Sequence, residues 1–398
     1  MSSYSFRGSR RPGVANKNRR SPVRTNRRPG QQYIDPTRFV KVAVQSEITD
    51  YQAVNQFNDF AIADLLKSNL AAKGYVTPSP IQDQTIPTAL SGRDVIGIAN
   101  TGTGKTAAFA IPLLHKLMND KSSRALIIAP TRELAEQIQD ECRSIAKGSG
   151  LFGALLIGGT SMGAQLRDLK EHPRIVIGTP GRIKDHIERG TLKLAYFDVV
   201  VLDEVDRMLD MGFVADVRSI LSQLSTPRQS FFFSATLDTR VQGLIQTFAD
   251  NPVLISLKGS DTSEHVNQDV VSYRSSHEKL DKLHDILLKE DVAKIIVFDA
   301  TQRSVERLSN ELVSRGFAAD AIHGGKSQGQ RQRALSRFKK NEINILVATD
   351  VAARGIDVID ITHVINFSTP NTYEDYVHRI GRAGRAGRVG HALTFVSD

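Results

Sequence analysis

The chain has 398 residues, of which 40% are hydrophobic and 24% charged, and a single cysteine. The length favours two or three domains, and the composition is that of an ordinary globular chain. A membrane-spanning reading is excluded by the lack of any run of about 18 apolar residues. The N-terminus shows no apolar core, so no secretory signal is expected.

Cys142 has no partner for an internal disulfide, and the ten histidines show no zinc-ligand spacing. Cys142 falls in register with Leu134, Ile138 and Ile145, which reads as a small buried hydrophobe on a helix face. A reducing, cytoplasmic setting is expected.

The formal net charge of +9 lies in residues 1–30, which hold eight arginines (7, 10, 11, 19, 20, 24, 27 and 28) and Lys17 but no Asp or Glu. This stretch is rich in Arg, Gly, Pro, Ser and Asn. It has too little apolar surface to offset its ordering entropy and reads as a disordered basic tail. Such an arm attracts polyanions, and a merely solubilising leader is the plain alternative. Residues 31–56 form a transitional segment with weak signals. A helical pattern runs from Phe57 to Gly74, with Leu65, Leu66 and Leu70 on one face.

Apolar, strand-like runs then recur near 94–98, 125–129, 154–157, 174–177, 198–202, 230–233 and 253–257, with helical patterns between most of them. This rhythm predicts a mostly parallel sheet covered on both faces. A polar stretch at 258–268 reads as a linker. A second series follows at 270–273, 294–298, 318–322, 344–348, 363–367 and 391–396. The expected fold class is α/β, with two doubly wound parallel-sheet domains in tandem over 57–257 and 269–398.

The stretch Ala99-Asn100-Thr101-Gly102-Thr103-Gly104-Lys105-Thr106 sits between a predicted strand and a predicted helix. A Gly-rich turn there aims backbone N–H groups at one point, and the helix N-terminus adds partial positive charge. Lys105 can reach the outer phosphates of a nucleotide, and the Thr106 hydroxyl can ligate Mg²⁺. Ala99 stands where the usual phosphate-loop pattern has its first glycine. The bland alternative is a surface turn beside a solvated lysine. Val199 to Asp206 places acids at the C-terminal end of a buried strand, the edge where open α/β sheets bind ligands. Asp203 is suited to hold Mg²⁺, and Glu204 to orient and deprotonate an attacking water.

With these motifs in order, residues 57–398 resemble the DEAD-box ATP-dependent RNA helicases of superfamily 2, built from two RecA-like domains. The run His323-Gly324-Gly325-Lys326-Ser327-Gln328 is most similar to the bacterial RhlE-like subgroup. The resemblance implies ATP and Mg²⁺ as cofactors and RNA as partner. Gly74-Tyr75-x-x-Pro78-Ser79-Pro80-Ile81-Gln82 matches the family's adenine-reading segment, and Phe57 matches the aromatic that stacks on the base. Pro130, Thr131 and Arg132, with Gly159, Thr179 and Arg182, match RNA-backbone contacts, which give sequence-tolerant binding. In the second domain Gln328, Arg331 and Thr349 match further RNA contacts. Asp357 matches a nucleotide-ribose contact.

Ser234 and Thr236 resemble the motif that couples hydrolysis to closure through Asp206 and His378. Arg382 and Arg385 resemble the arginine fingers, whose planar charge suits a developing γ-phosphate charge. Three positions depart from the family: Val205 in place of Ala, Gly325 in place of a common Asp, and Ala383 in place of a common Thr. The chain stops two residues past its final apolar run, so either it is a fragment or the second domain lacks part of its cover.

The implied function is RNA-stimulated ATP hydrolysis that separates RNA strands locally on domain closure. An ATP-gated RNA clamp without productive unwinding is the alternative, and a DNA-directed helicase is a second rival. Ribonucleoprotein and decay partners are left open.

Overall fold

The computed structural model describes residues 34–43, 51–100, 102–257, 265–353, 358, 360–384 and 388–398. The expected basic tail and most of the linker fall outside them.

Strands β1 (Val95–Ile98), β2 (Ala125–Ile128), β3 (Gly153–Leu156), β4 (Ile175–Gly178), β5 (Val199–Leu202), β6 (Gln229–Ser234) and β7 (Val253–Ser256) form a seven-stranded sheet in the order β3-β4-β2-β5-β6-β1-β7. Strands β8 (Val266–Tyr273), β9 (Ile295–Phe298), β10 (Ala319–Ile322), β11 (Ile345–Ala348), β12 (His363–Asn366) and β13 (Gly390–Ser397) form a six-stranded sheet in the order β10-β11-β9-β12-β13-β8. Strand pairs such as β1 with β6 and β12 with β13 are parallel. The polar stretch read as a linker through 268 ends earlier, because β8 begins at Val266.

The near-continuous apolar strands arise because both sheet faces are covered. Side chains alternate between two cores. Val95, Val199, Val201 and Phe231 face one, while Ile96, Val200, Leu202 and Phe232 face the other. The second sheet divides likewise, with Ile296 and Leu346 on one side and Ile295 and Ile345 on the other. Each buried aliphatic or aromatic side chain contributes about 1.5–3 kcal/mol. Gly97 on β1 is required by packing, since a Cβ there would lie 2.5 Å from the Phe233 ring. Cys142 is buried in the first core, and burial pushes its thiol up to about 12.

The helix expected over Phe57–Gly74 is shorter, Asp64–Ala72, with Leu66 and Leu70 buried. The transitional segment carries more structure than its sequence suggests. Ile34 and Phe39 are buried in the core of the second lobe. Lys41 pairs antiparallel with Gln268 of edge strand β8. Tyr51, Val54 and Asn55 bond instead to the Asp83 carboxylate of the first lobe, at 2.7, 2.8 and, for the Asn55 amide, 2.7 Å.

Candidate active site between the two lobes

The parallel strands of the first lobe bring their C-terminal ends to one edge, and the strand order divides that edge into two halves. Adjacent strands β5, β6 and β1 deliver Asp203 to Asp206, Ser234 to Thr236, and the Gly-rich loop. Adjacent strands β3, β4 and β2 deliver Gly158 to Gly159, Thr179 to Arg182, and Pro130 to Arg132.

Gly102 and Gly104 adopt φ of 85° and 91°, which side-chain-bearing residues rarely do. Ala99 has no such conformation. Its N–H donates to Ser234 O at 3.1 Å and continues the strand ladder, so the loop has no need of glycine there. Lys105 opens the helix Lys105–Asn119, is buried, and donates from Nζ to Ala99 O at 2.9 Å. Thr106 follows it, half-buried. Thr103 Oγ1 donates to Asn100 O at 2.8 Å.

Gln82 is buried and ties the start of its own helix to the loop. Its Oε1 accepts from Ser79 N at 2.9 Å, and its Nε2 donates to Gly104 O at 3.1 Å. Ser79 Oγ adds a bond to Thr103 O at 2.8 Å. A Cβ on Gly104 would lie 2.4 Å from Gln82 Nε2, so the amide also enforces glycine at that position.

Phe57, read as the aromatic that stacks on the base, lies in an aromatic cluster. It is 3% exposed and packs edge-on against Phe60 and Tyr75, with ring centroids 5.8 and 5.2 Å apart. Tyr75 is the half-exposed member of the trio.

Asp203, Glu204 and Asp206 are all buried at the end of β5. Burial pushes the Asp203 carboxyl up to about 6, against the pull of Lys105. Glu204 has a φ of 55° in the left-handed region, a strain of about 1–3 kcal/mol for a side-chain-bearing residue. Burial raises the Glu204 carboxyl, but the charges of Arg207, Lys105 and Arg382 outweigh it and hold the group below its ordinary value. Arg207 Nη1 lies 2.8 Å from Glu204 Oε2, and both side chains are buried. This partner was missed in the sequence, although a spacing of three at a helix start signals it. Asp206 Oδ2 accepts from Ala235 N and Thr236 N at 3.0 Å each and from Thr236 Oγ1 at 3.3 Å. Asp206 N donates to Ser234 Oγ at 3.3 Å. The departure at Val205 is absorbed by the core, where its side chain is fully buried.

The helix Tyr373–Ile380 of the second lobe faces this cluster and carries His378, with Arg382 just beyond its end. Arg379 anchors it through two bonds to the Asp350 carboxylate, at 2.5 and 2.7 Å, and one to Ser368 O at 2.7 Å. Arg382 is buried and donates from Nε to His378 O at 3.4 Å. His378 and Arg382 line one small cavity with Asp350 and Phe298. Ala383 is fully buried. Its Cβ lies in the space that a side chain on Gly390 would need, 2.6 Å away. At Gly325 a Cβ would lie 2.7 Å from Gln302 Oε1, the mobile end of a side chain, so nothing in the structure explains the missing side chain there. Thr101, Asp357 and Arg385 lie outside the described residues.

Gln328 and Arg331, read as RNA contacts, have partners across the lobes that the sequence did not suggest. They are 4% and 6% exposed and face the other lobe. Gln328 Nε2 donates to both oxygens of Glu136 at 3.0 Å, and Arg331 Nη2 lies 2.7 Å from Glu133 Oε1. Burial raises the Glu133 carboxyl against the pull of Arg331, and burial lowers the Arg331 guanidinium.

The remaining first-lobe positions run from the exposed Gly159 to the buried Pro130 and Thr131. Arg132 lies over the Gly158–Gly159 turn, where Gly159 has φ +79° and a Cβ would strike the guanidinium. Thr131 caps its helix by accepting from Leu134 N at 3.2 Å, and Pro130 is buried. Thr179 caps the helix Pro180–Glu188, and Arg182 Nη1 donates to Gln165 Oε1 at 3.2 Å. In the second lobe Thr349 follows β11, half-buried, and its N–H donates to Ile322 O at 3.3 Å.

Comparison with known proteins agrees with this geometry. Residues 79–244 match the DEAD/DEAH box helicase family, and residues 278–387 match the helicase conserved C-terminal domain. A protein of Limosilactobacillus reuteri named ATP-dependent RNA helicase CshA is 43% identical over 344 residues, 86% of this chain and 69% of that protein. Its name is not that of the RhlE-like subgroup. Among solved structures, Mss116p bound to ssRNA and AMP-PNP is 30% identical, with a TM-score of 0.78 over 87% of this chain and 76% of that one. Dbp5 of S. cerevisiae bound to RNA and ADP BeF3 is 29% identical, with a TM-score of 0.76 over 86% of this chain and 89% of that one. Among the described residues no helix is long and apolar enough to cross a membrane. The chain belongs to the DEAD-box helicases.

Proposed function

We propose that this chain hydrolyses ATP in the cleft between its lobes and uses closure to separate RNA strands locally. The observation that carries this is the contact of the two lobes through Gln328–Glu136 at 3.0 Å and Arg331–Glu133 at 2.7 Å, with the charge of Arg382 reaching Glu204 across the same cleft. A shared triphosphate is the ligand that needs a lysine and carboxylates from one body and a guanidinium from the second.

In this reading Lys105 exchanges its bond with Ala99 O for the outer phosphates, and the loop N–H groups hold the chain of phosphates. Gln82 retains one amide hydrogen and one carbonyl lone pair beyond its loop contacts, enough for an adenine edge. Glu204, held ionised, orients the attacking water and takes its proton. Arg382 and Arg385 face the charge that develops on the γ-phosphoryl group. The Thr106 hydroxyl and the buried Asp203 carboxylate are hard oxygen donors of the kind that hold a hard cation. They suit Mg²⁺, which neutralises phosphate charge when bound.

RNA is proposed to run over the β3, β4 and β2 ends, on Pro130, Thr131, Arg132, Gly159, Thr179 and Arg182, and across to Thr349. Such contacts reach phosphate and sugar. Asp206, Ser234, Thr236 and His378 lie between the two ligands and couple them. By linkage, ATP tightens RNA binding as much as RNA tightens ATP binding. ATP hydrolysis measured with no polymer, with RNA and with DNA, alongside release of a short RNA duplex, tests this reading. Stimulation by RNA with ATP-dependent duplex release is expected. RNA-stimulated turnover without release supports a clamp instead.

A further inference from the structure

The segment Ile34–Ala43 belongs by sequence to the approach to the first lobe, yet it is built into the second. Lys41 N donates to Gln268 O at 3.0 Å, and Gln268 N donates back to Lys41 O at 2.7 Å. Ala43 N donates to Asn267 Oδ1 at 2.8 Å. These bonds occupy part of the free edge of β8, a row of groups that otherwise lacks partners.

The segment also touches the helix Tyr373–Ile380. Phe39 is fully buried with its ring centroid 4.7 Å from that of Tyr376, and the Arg38 guanidinium sits 3.8 Å from the Tyr373 ring centroid. Tyr376 OH donates to Gln268 Oε1 at 2.9 Å, so strap, edge strand and helix form one connected network. Two residues after Tyr376 comes His378, and six residues after it Arg382.

We propose that Ile34–Ala43 is a positioning strap that fixes the helix Tyr373–Ile380 and thereby aims Arg382 at the shared triphosphate. Phe39 is its main positioning residue. It touches no reacting atom and acts through Tyr376. Arg379 pins one side of the helix through Asp350, and the strap pins the opposite end of the same network. An orienting group misplaced by an ångström can cost up to about 100-fold in rate.

The proposal rests on the reading of Arg382 given above. Its test uses the full chain with Phe39→Ala, Lys41→Pro, Phe39→Tyr and, separately, Arg382→Ala. Lys41→Pro removes the N–H that bonds Gln268 O at 3.0 Å, together with an exposed side chain, and leaves no core cavity. RNA-stimulated kcat should fall on the order of tenfold in Phe39→Ala and several-fold in Lys41→Pro, with KM for ATP unchanged within about twofold, because only transition-state orientation is lost. Phe39→Tyr should restore kcat.

Wild-type kcat in both Phe39→Ala and Lys41→Pro, with Arg382→Ala still inactive, overturns the strap and leaves the arginine reading standing. Wild-type kcat in Arg382→Ala overturns that reading instead. Parallel loss of kcat and ATP affinity in Lys41→Pro marks a merely structural segment and also overturns the proposal.

Discussion

Arg331 Nη2 lies 2.7 Å from Glu133 Oε1, with the two side chains 8% and 2% exposed, although the residues belong to different lobes. With the Gln328–Glu136 pair beside it, this contact forms a charged seam that exists only while the lobes are together. Removing one member of a buried pair leaves the other charge uncompensated, at a cost of about 3–5 kcal/mol.

Arg331→Ala should therefore act on closure and leave ATP binding to the first lobe intact. RNA affinity in the presence of a non-hydrolysable ATP analogue should fall on the order of 100-fold, while RNA affinity without nucleotide changes little. The double variant Glu133→Leu with Arg331→Met should recover much of the loss, since apolar partners of similar volume replace buried ion pairs well. Titration of labelled RNA with and without analogue measures both effects. Equal loss in the two conditions would assign Arg331 to direct RNA contact.

Glu204→Gln keeps the shape of the site and removes the base. Turnover should fall on the order of 100-fold or more, with ATP and RNA still bound together. Arg207, which now pairs with Glu204 at 2.8 Å, then faces a neutral amide. Single-turnover hydrolysis set against equilibrium binding separates the two functions.

A pH effect is expected far from the cleft. His363 is 4% exposed at the start of β12 and stacks on His391 with ring centroids 4.8 Å apart. Burial, then the charge of His391 and of Lys289, pushes its imidazole down to about 4, with Asp291 opposing. The folded chain thus holds His363 neutral where the unfolded chain protonates it. Its stabilising contribution is complete above about pH 6.5 and is lost as pH falls from there toward 4, on the order of 2 kcal/mol. Urea unfolding at several pH values should show a shallower decline below pH 6.5 in His363→Gln than in the unaltered chain.

Deleting residues 1–30 removes nine cations and no anion. The slope of log RNA affinity against log salt should flatten, by about 6 at most if every charge engages single-stranded RNA. An unchanged slope would make the tail a bystander to RNA binding.

What could be read from sequence follows from how local each signal is. The strands were legible because parallel strands buried on both faces become short apolar runs, as in Val199–Leu202 and Ile295–Phe298. The Lys105 and Asp203 motifs were legible because a strand, a turn and a helix are contiguous. The interlobe bonds of Gln328 and Arg331 were hidden because their partners, Glu136 and Glu133, lie nearly two hundred residues away on another lobe. The packing of Phe57 against Phe60 and Tyr75 was not legible, because an aromatic that stacks on a base and one that fills a core look alike in sequence. The strap was hidden because its two core residues, Ile34 and Phe39, sit in a segment whose only regular element is one short 3₁₀ turn, Pro36–Phe39.

The central claim is that the lobes complete one hydrolytic site by meeting. RNA-stimulated hydrolysis by Arg382→Ala, measured together with ATP affinity, tests it most directly. The account predicts a loss of turnover on the order of 10³-fold with ATP still bound through the first lobe. Turnover equal to that of the unaltered chain would contradict it.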